Sequence, residues 1–130
     1  MNNRVFAKRI VVTDLLGKTT NDNWYTVGIW LDYNNKLMAL RLNRNSTDLI
    51  DIPFDNIRSV EIIEDGYLTT SKGLQVRIVT GGNNGTHPYI LKLWEPNFLG
   101  AKYNKSDPVY KAIKECARQI VDECENDRYL

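Results

Sequence analysis

The residues of this chain that could carry out chemistry are few and lie far apart. The 130 residues include one histidine, His87, and two cysteines, Cys116 and Cys124. A zinc site needs Cys, His or carboxylate ligands at characteristic spacings, and a catalytic nucleophile needs a base within hydrogen-bonding reach. His87 has neither a ligand partner nor a nucleophile near it in the sequence. We therefore predict that the protein is not an enzyme and that it binds no metal or other cofactor.

The two cysteines are predicted to be buried and unpaired. They fall within one predicted helix, where a rise of about 1.5 Å per residue separates their Cα atoms by about 12 Å. A disulfide requires Cα atoms within about 7 Å. Cys116 and Cys124 both lie on the apolar side of that helix, where cysteine behaves as a small hydrophobic side chain.

Two glycine-containing motifs suggest ligand binding. Gly81 to Gly85 resembles a phosphate-binding loop, but it lacks the lysine and the following helix of a P-loop, so a hairpin turn is predicted. Gly28-Ile29-Trp30 spells the Gly-x-Trp signature of lipocalins, which are β-barrels that hold small apolar ligands. A calycin-like carrier of a small apolar ligand is therefore retained as an alternative function.

The charge balance gives no strong nucleic-acid signal. With 17 basic and 16 acidic residues the net charge is +1, so no overall field attracts nucleic acid or an anionic membrane. A local surface built on Lys36, Arg41 and Arg44 is a further alternative. No stretch approaches the roughly 18 apolar residues of a membrane-spanning helix, and the first residues carry no signal peptide. A cytoplasmic protein without a transmembrane segment is expected.

The elements that would position these residues are mostly β-strands. Apolar and polar residues alternate from Ile10 to Trp94, which predicts antiparallel strands. Asn34-Asn35 predicts a two-residue type I′ hairpin, and further turns are predicted at Asp65-Gly66 and at Ser71-Lys72-Gly73. The seven predicted strands are residues 9–14, 24–33, 36–42, 49–54, 57–63, 74–80 and 88–94.

Some residues specify the arrangement of these strands. Pro53 has no amide hydrogen to donate, so the fourth strand is predicted to be an edge or to end there. Leu74, Val76 and Ile78 are predicted to face inward on the sixth strand. His87 is expected in the loop before Pro88.

The chain is predicted to end in an amphipathic helix of about residues 107–126. Asp107 is a suitable N-cap and Pro108 suits the first helical position. The charged residues near the end, Asp122 and Glu123 among them, are expected to be solvated. The predicted apolar side consists of Val109, Ile113, Cys116, Ala117, Ile120 and Cys124. The opposite side carries Lys111, Lys114, Arg118, Asp122 and Glu125.

Seven strands followed by one helix is the element order of the pleckstrin homology (PH)-like fold. The segment Ile52-Pro53-Phe54-Asp55-Asn56-Ile57-Arg58-Ser59-Val60-Glu61 resembles the junction between strands four and five in bacterial members. The resemblance implies one domain over residues 1–130, a seven-stranded antiparallel barrel capped by the helix, and a noncatalytic binding role. Phosphoinositide-binding members carry several cations near the first loop, whereas residues 17–23 offer only Lys18. Weak or absent phosphoinositide binding is therefore expected.

These features together predict a binding or scaffolding module for a protein or peptide partner, or for a second copy of the chain. The connection of residues 95–106 is long for a compact domain and contains aromatic residues. Trp94, Phe98 and Tyr103 are the predicted contact residues, because exposed aromatic side chains concentrate binding energy. Two readings of the connection remain open, a contact surface and a cover for a sheet edge.

Overall fold

The alternating segments form two antiparallel sheets in the computed structural model, and a long helix near the carboxyl end packs against them. The structure describes residues 5–15, 27–43, 46, 48–66, 70–82, 85–94 and 103–125. The strands are β1 (Lys8–Val11), β2 (Gly28–Asp32), β3 (Leu37–Arg41), β4 (Ile50–Pro53), β5 (Ile57–Gly66), β6 (Thr70–Gly82), β7 (Gly85–Trp94) and β8 (Tyr103–Asn104). The helices are α1 (Val12–Leu15), a 3-10 turn (Phe54–Asn56) and α2 (Pro108–Cys124).

The first sheet has the strand order β1-β2-β3-β4. Ile29 and Leu31 are fully buried on one face of β2, while Trp30 between them is half-buried, as the alternation predicted. The strand is shorter than the predicted range of residues 24–33, of which residues 24–26 lie outside the described residues. The last strand, β4, pairs with β3 alone among the described strands, and the prediction from Pro53 of an edge strand is confirmed. The first predicted strand is shorter than expected, because the chain enters α1 after Val11.

The connection between β2 and β3 is not the predicted type I′ turn. Asp32 pairs with Leu37, which leaves residues 33–36 as a four-residue turn, and Lys36 takes a left-handed conformation with φ of 55°. The Asp32 carboxylate accepts bonds from the backbone amide of Asn35 (3.1 Å) and from its Nδ2 (2.7 Å). These local bonds fix the wider turn, and the single left-handed residue is Lys36 instead of the two asparagines.

The second sheet has the order β5-β6-β7, and the two-residue β8 also pairs with β6. Leu74, Val76 and Ile78 of β6 are fully buried, as predicted. The predicted turn at Ser71-Lys72-Gly73 is wrong, because Ser71 pairs with Gly66 and Gly73 pairs with Asp65. The strand register shifts between these two pairs, so Ser71, Lys72 and Gly73 lie in an irregular part of β6 and not in a turn.

The hairpin expected around Gly81 to Gly85 is present, since Gly82 pairs with Gly85. The strand that follows starts at Gly85 and therefore includes His87, which was expected in a loop. Pro88 is tolerated inside β7 because β7 is an edge of this sheet. On its outer side there is no neighbouring strand of the sheet to which the missing amide hydrogen would have been donated.

The helix α2 begins where the sequence predicts. The Asp107 side chain accepts a bond from the amide of Val109 at 2.8 Å, and Pro108 occupies the first turn. Val109 was predicted on the apolar side, but it is 40% exposed, and Tyr110 is buried in its place. The buried side continues through Ile113, Cys116, Ala117, Ile120 and Cys124, as predicted.

Both sheets and α2 contribute to one apolar core. A backbone bond from Lys92 of β7 to Leu42, at 2.8 Å, connects the second sheet to the end of the first. The sheets are not closed into a barrel over the described ranges, so the predicted barrel is not confirmed. The cluster members with no exposed surface are Ile29, Leu31, Met38, Leu40, Leu74, Val76, Ile78, Leu91, Cys116, Ala117 and Ile120.

Candidate functional site

Within the part of the chain that is described, no group of three or more His, Cys, Asp or Glu residues could hold a metal ion. His87 lies exposed on β7, with its ring centroid 4.5 Å from that of Tyr89. This contact joins two aromatic rings on the same strand.

The two thiols are buried and unpaired, as predicted. Burial raises the pKa of Cys116 to about 12, with a smaller contribution from the charge of Asp14. Burial likewise raises the pKa of Cys124 to about 12, assisted by the charges of Glu123 and Glu125. A thiol must ionise to act as a nucleophile or a metal ligand, so burial disfavours both roles for Cys116 and Cys124 in the folded protein.

Glu123 departs from the prediction of a solvated helix end. It is 6% exposed, and its Oε1 accepts a bond of 2.7 Å from the hydroxyl of Tyr33. The Lys8 ammonium lies 3.3 Å from its Oε2. Glu123 follows Ile120 by three residues and therefore shares its side of α2, a spacing that could have indicated burial. These contacts fasten α2 to the first sheet.

Asp32 is a second buried carboxylate, and it organises the turn after β2. Besides the two bonds from Asn35, it accepts the amide of Val5 at 3.1 Å. The Asn35 side-chain amide holds the pKa of Asp32 below its ordinary value of 3.8, and backbone amides add to this effect while burial opposes it. The Asp32 carboxylate thus has a structural role, because its bond to the Val5 amide attaches the first described residues to the turn after β2.

Of the three basic residues suggested as a nucleic-acid or membrane surface, Arg41 does not contribute to such a surface. Arg41 is only 4% exposed, and its Nε donates to the carbonyl of Ser46 at 2.8 Å. Lys36 is exposed at the turn between β2 and β3. Arg44 lies outside the described residues. Because the Arg41 side chain is buried and bonded within the protein, the hypothesis of a nucleic-acid or membrane surface loses one of its three cations.

The predicted contact residues are only partly placed by the structure. Trp94 ends β7, pairs with Leu74 of β6, and is half-buried against the core. Tyr103 begins β8 and pairs with Ser71, three positions before Leu74 on the same strand. Phe98 and most of the connection of residues 95–106 lie outside the described residues. Trp94 and Tyr103 are thus both attached to the first part of β6.

The glycine of the Gly28-Ile29-Trp30 motif has a structural explanation. Gly28 has a φ of 153°, and a Cβ atom added there would lie 2.0 Å from the carbonyl oxygen of Ile10. The strands β1 and β2 approach so closely that no side chain fits between them. The pairing of the strands therefore accounts for this glycine without a lipocalin ligand.

The outer strands of the two sheets are the remaining candidate binding features. The edge strand β4 ends at Pro53, and the edge strand β7 contains Pro88. The edge strand β5 is ten residues long, contains no proline, and exposes Arg58, Ser59 and Glu61. Among the described strands it pairs with β6 alone. An unpaired row of amides and carbonyls of this length is a template for strand addition.

Comparison of the chain with protein-family models, with curated proteins and with solved structures found no match. In the described ranges, no helix combines the length and the apolar character needed to cross a membrane.

Proposed function

We propose that this protein is a noncatalytic binding or scaffolding module with a PH-like fold, and that it binds a protein or peptide, or a second copy of itself. The observation that carries the proposal is the outer edge of β5, which is long and free of proline. The cytoplasmic location and the barrel expected from the sequence belong to the same proposal.

The β5 edge supports this function through main-chain chemistry. Along an antiparallel edge strand, alternate residues direct their amides and carbonyls away from the neighbouring strand. An extended segment of a partner can pair with those groups and gains affinity that depends little on its side chains. The helix α2 packs against β5.

The element order supports the PH-like part of the proposal. Strands β1 to β4 form one sheet, β5 to β7 form the other, and α2 follows and packs on both. Trp94 precedes the connection of residues 95–106 and Tyr103 lies within it. Both are proposed, with Phe98, as the side chains that anchor a partner near β6.

The alternative, a calycin-like carrier of a small apolar ligand, fits the described core less well. A carrier needs an internal cavity, whereas side chains of both sheets and of α2 pack together with no exposed surface, Leu31, Ile78 and Ile120 among them. Saturable binding of a fatty acid by the full chain would favour the carrier instead.

A peptide selection tests the proposal. The full chain is immobilised and challenged with a random peptide display library, and enriched sequences are measured for affinity in solution. Self-association is followed in parallel by sedimentation equilibrium. The proposal expects either enriched peptides or reversible self-association, and the absence of both would contradict it.

The anchor residues are tested with the double variant Phe98→Ser and Tyr103→Ser. If these side chains are contacts, binding or self-association is lost while stability in urea is retained. If they belong to the core, stability falls by several kcal/mol, as for other buried aromatic truncations. Tyr89→Ser, a half-buried tyrosine on β7, is the matched control. Unchanged stability together with unchanged association would remove these residues from the proposal.

A further inference from the structure

The first half of α2 borders a groove with a volume of about 310 Å³, called here the basic groove. Its lining residues are Lys105, Tyr110, Lys111, Lys114, Glu115 and Arg118.

Positive charge exceeds negative charge in the basic groove. Lys105 and Lys114 share one carboxylate, that of Glu64 on β5, at 3.1 and 3.4 Å. Arg118 forms an ion pair with Glu115, with its Nη1 3.4 Å from the Glu115 Oε2. Lys111 is exposed and has no ion-pair partner among the described residues. Four cations therefore face two carboxylates, an excess larger than the net charge of +1 for the whole chain.

The basic groove also contains an unused hydrogen-bond donor. Tyr110 is 1% exposed, and its hydroxyl is buried without a partner among the described residues. A buried polar group without a partner is uncommon, because it has lost its bonds to water and gained none in exchange. This hydroxyl is therefore available to donate a bond to a ligand.

Access to the hydroxyl requires the lysine side chains to move. Water does not reach the hydroxyl in the free protein. The side chains of Lys105 and Lys114 are 26% and 44% exposed and are held by the single Glu64 carboxylate. Long side chains in part-exposed ion pairs of this kind exchange partners at little cost in free energy. An incoming carboxylate would give these two ammonium groups a second anion.

We propose that the basic groove binds an acidic peptide segment of a partner protein. One carboxylate of the segment accepts the Tyr110 hydroxyl bond, and its charge is met by Lys111 and Lys114. This inference rests on the proposed function and deepens it, because it names the chemistry of the partner and places it beside β5, the strand that carries Glu64.

The surroundings favour a discrete acidic segment over an anionic membrane surface. The exposed carboxylate of Asp122 lies on the same helix as Lys111 and Lys114, and that of Glu125 lies at the C-cap of this helix. A flat anionic surface laid along α2 would meet these like charges, whereas a short peptide can contact the groove and avoid them.

Fluorescence anisotropy of the full chain with fluorescein-labelled hexaglutamate tests the proposal, with labelled hexaglutamine as the neutral comparison. Tyr110→Phe should weaken hexaglutamate binding by about tenfold, since it removes a hydrogen bond to a charged acceptor. Lys111→Ala should weaken binding by a similar factor and reduce its sensitivity to salt. The matched controls Tyr89→Phe and Lys92→Gln lie outside the groove and should bind as the unmodified chain does.

A stability measurement separates a ligand-binding role of Tyr110 from a structural one. If its hydroxyl lacks a partner in the free protein, Tyr110→Phe should unfold at the same or a higher urea concentration. A lower midpoint would show that the hydroxyl already has a partner, and the proposal would be wrong. It would also be overturned if hexaglutamate did not bind, if both groove variants bound it normally, or if phosphatidylserine vesicles bound while hexaglutamate did not.

Failure of this inference and failure of the proposed function give different results. Peptides that are enriched by the chain but are not acidic, and that bind the groove variants normally, would contradict the basic groove and leave the binding module intact. Absence of all peptide binding and of self-association would contradict both.

Discussion

Ile120→Ala is the substitution that most directly measures how far α2 belongs to the core. Ile120 has no exposed surface and belongs to the cluster formed by both sheets and the helix. The change removes three buried carbon atoms, which is worth roughly 2.4 kcal/mol at about 0.8 kcal/mol per methylene. The cavity left behind adds to this loss, so a total of about 3 to 4 kcal/mol is expected.

The assay is urea unfolding followed by tryptophan fluorescence and by far-ultraviolet circular dichroism. The two signals should give coincident transitions, and the unfolding midpoint should fall without a change in the slope of the free energy against urea. Val109→Ala on the same helix is the matched control, because Val109 is 40% exposed and its truncation should cost less than about 0.5 kcal/mol. A loss for Ile120→Ala as small as that of the control would refute the placement of α2 in the core.

Three further outcomes follow from the buried groups. Gly28→Ala should destabilise the protein severely, because the added Cβ meets the Ile10 carbonyl at 2.0 Å, and normal thermal unfolding of the variant would refute that packing. Cys116 and Cys124, with pKa values near 12, should resist a thiol reagent at neutral pH until urea unfolds the chain, and rapid modification of the native protein would count against their burial. Because the folded-state pKa of Asp32 is lowered, its stabilising contribution should be complete above its ordinary value of 3.8 and be lost as pH falls through the lower folded-state value. The difference in unfolding free energy between the unmodified chain and Asp32→Asn should therefore become smaller in acid. A difference that does not change with pH would exclude a stabilising role of the ionised Asp32 carboxylate.

Local sequence patterns predicted the elements whose causes are local. The alternation around Ile29 and Leu31 gave a correct buried face, and Asp107 with Pro108 marked the start of α2. Pro53 identified an edge strand because a missing amide hydrogen has the same consequence in any sheet.

The errors arose where a contact from elsewhere in the chain or a choice among local bonds decided the structure. Asn34-Asn35 favours a type I′ turn, but the Asp32 carboxylate stabilises a longer one. Glu123 has the spacing of the buried side of α2, but the bonds that satisfy its buried carboxylate come from Tyr33 and Lys8, which are far away in sequence.

The candidate sites were less predictable than the fold. The proposed contact residues followed from aromatic composition, and the length of the β5 edge required knowledge of which strands lie outermost. The basic groove brings Glu64 of β5 to Lys105 and Lys114, and no pattern in the sequence pairs those positions.

Hydrogen exchange along β5 shows whether a partner is recognised through this strand edge. Exchange is followed by mass spectrometry on the full chain, alone at increasing concentration and with a peptide obtained by selection. We expect the amides of β5 that point away from β6 to exchange quickly in the free monomer. The same amides should become protected when a partner binds. The interior strand β3, paired on both sides, should be protected throughout. Partner binding that leaves exchange in β5 unchanged would contradict recognition through this edge.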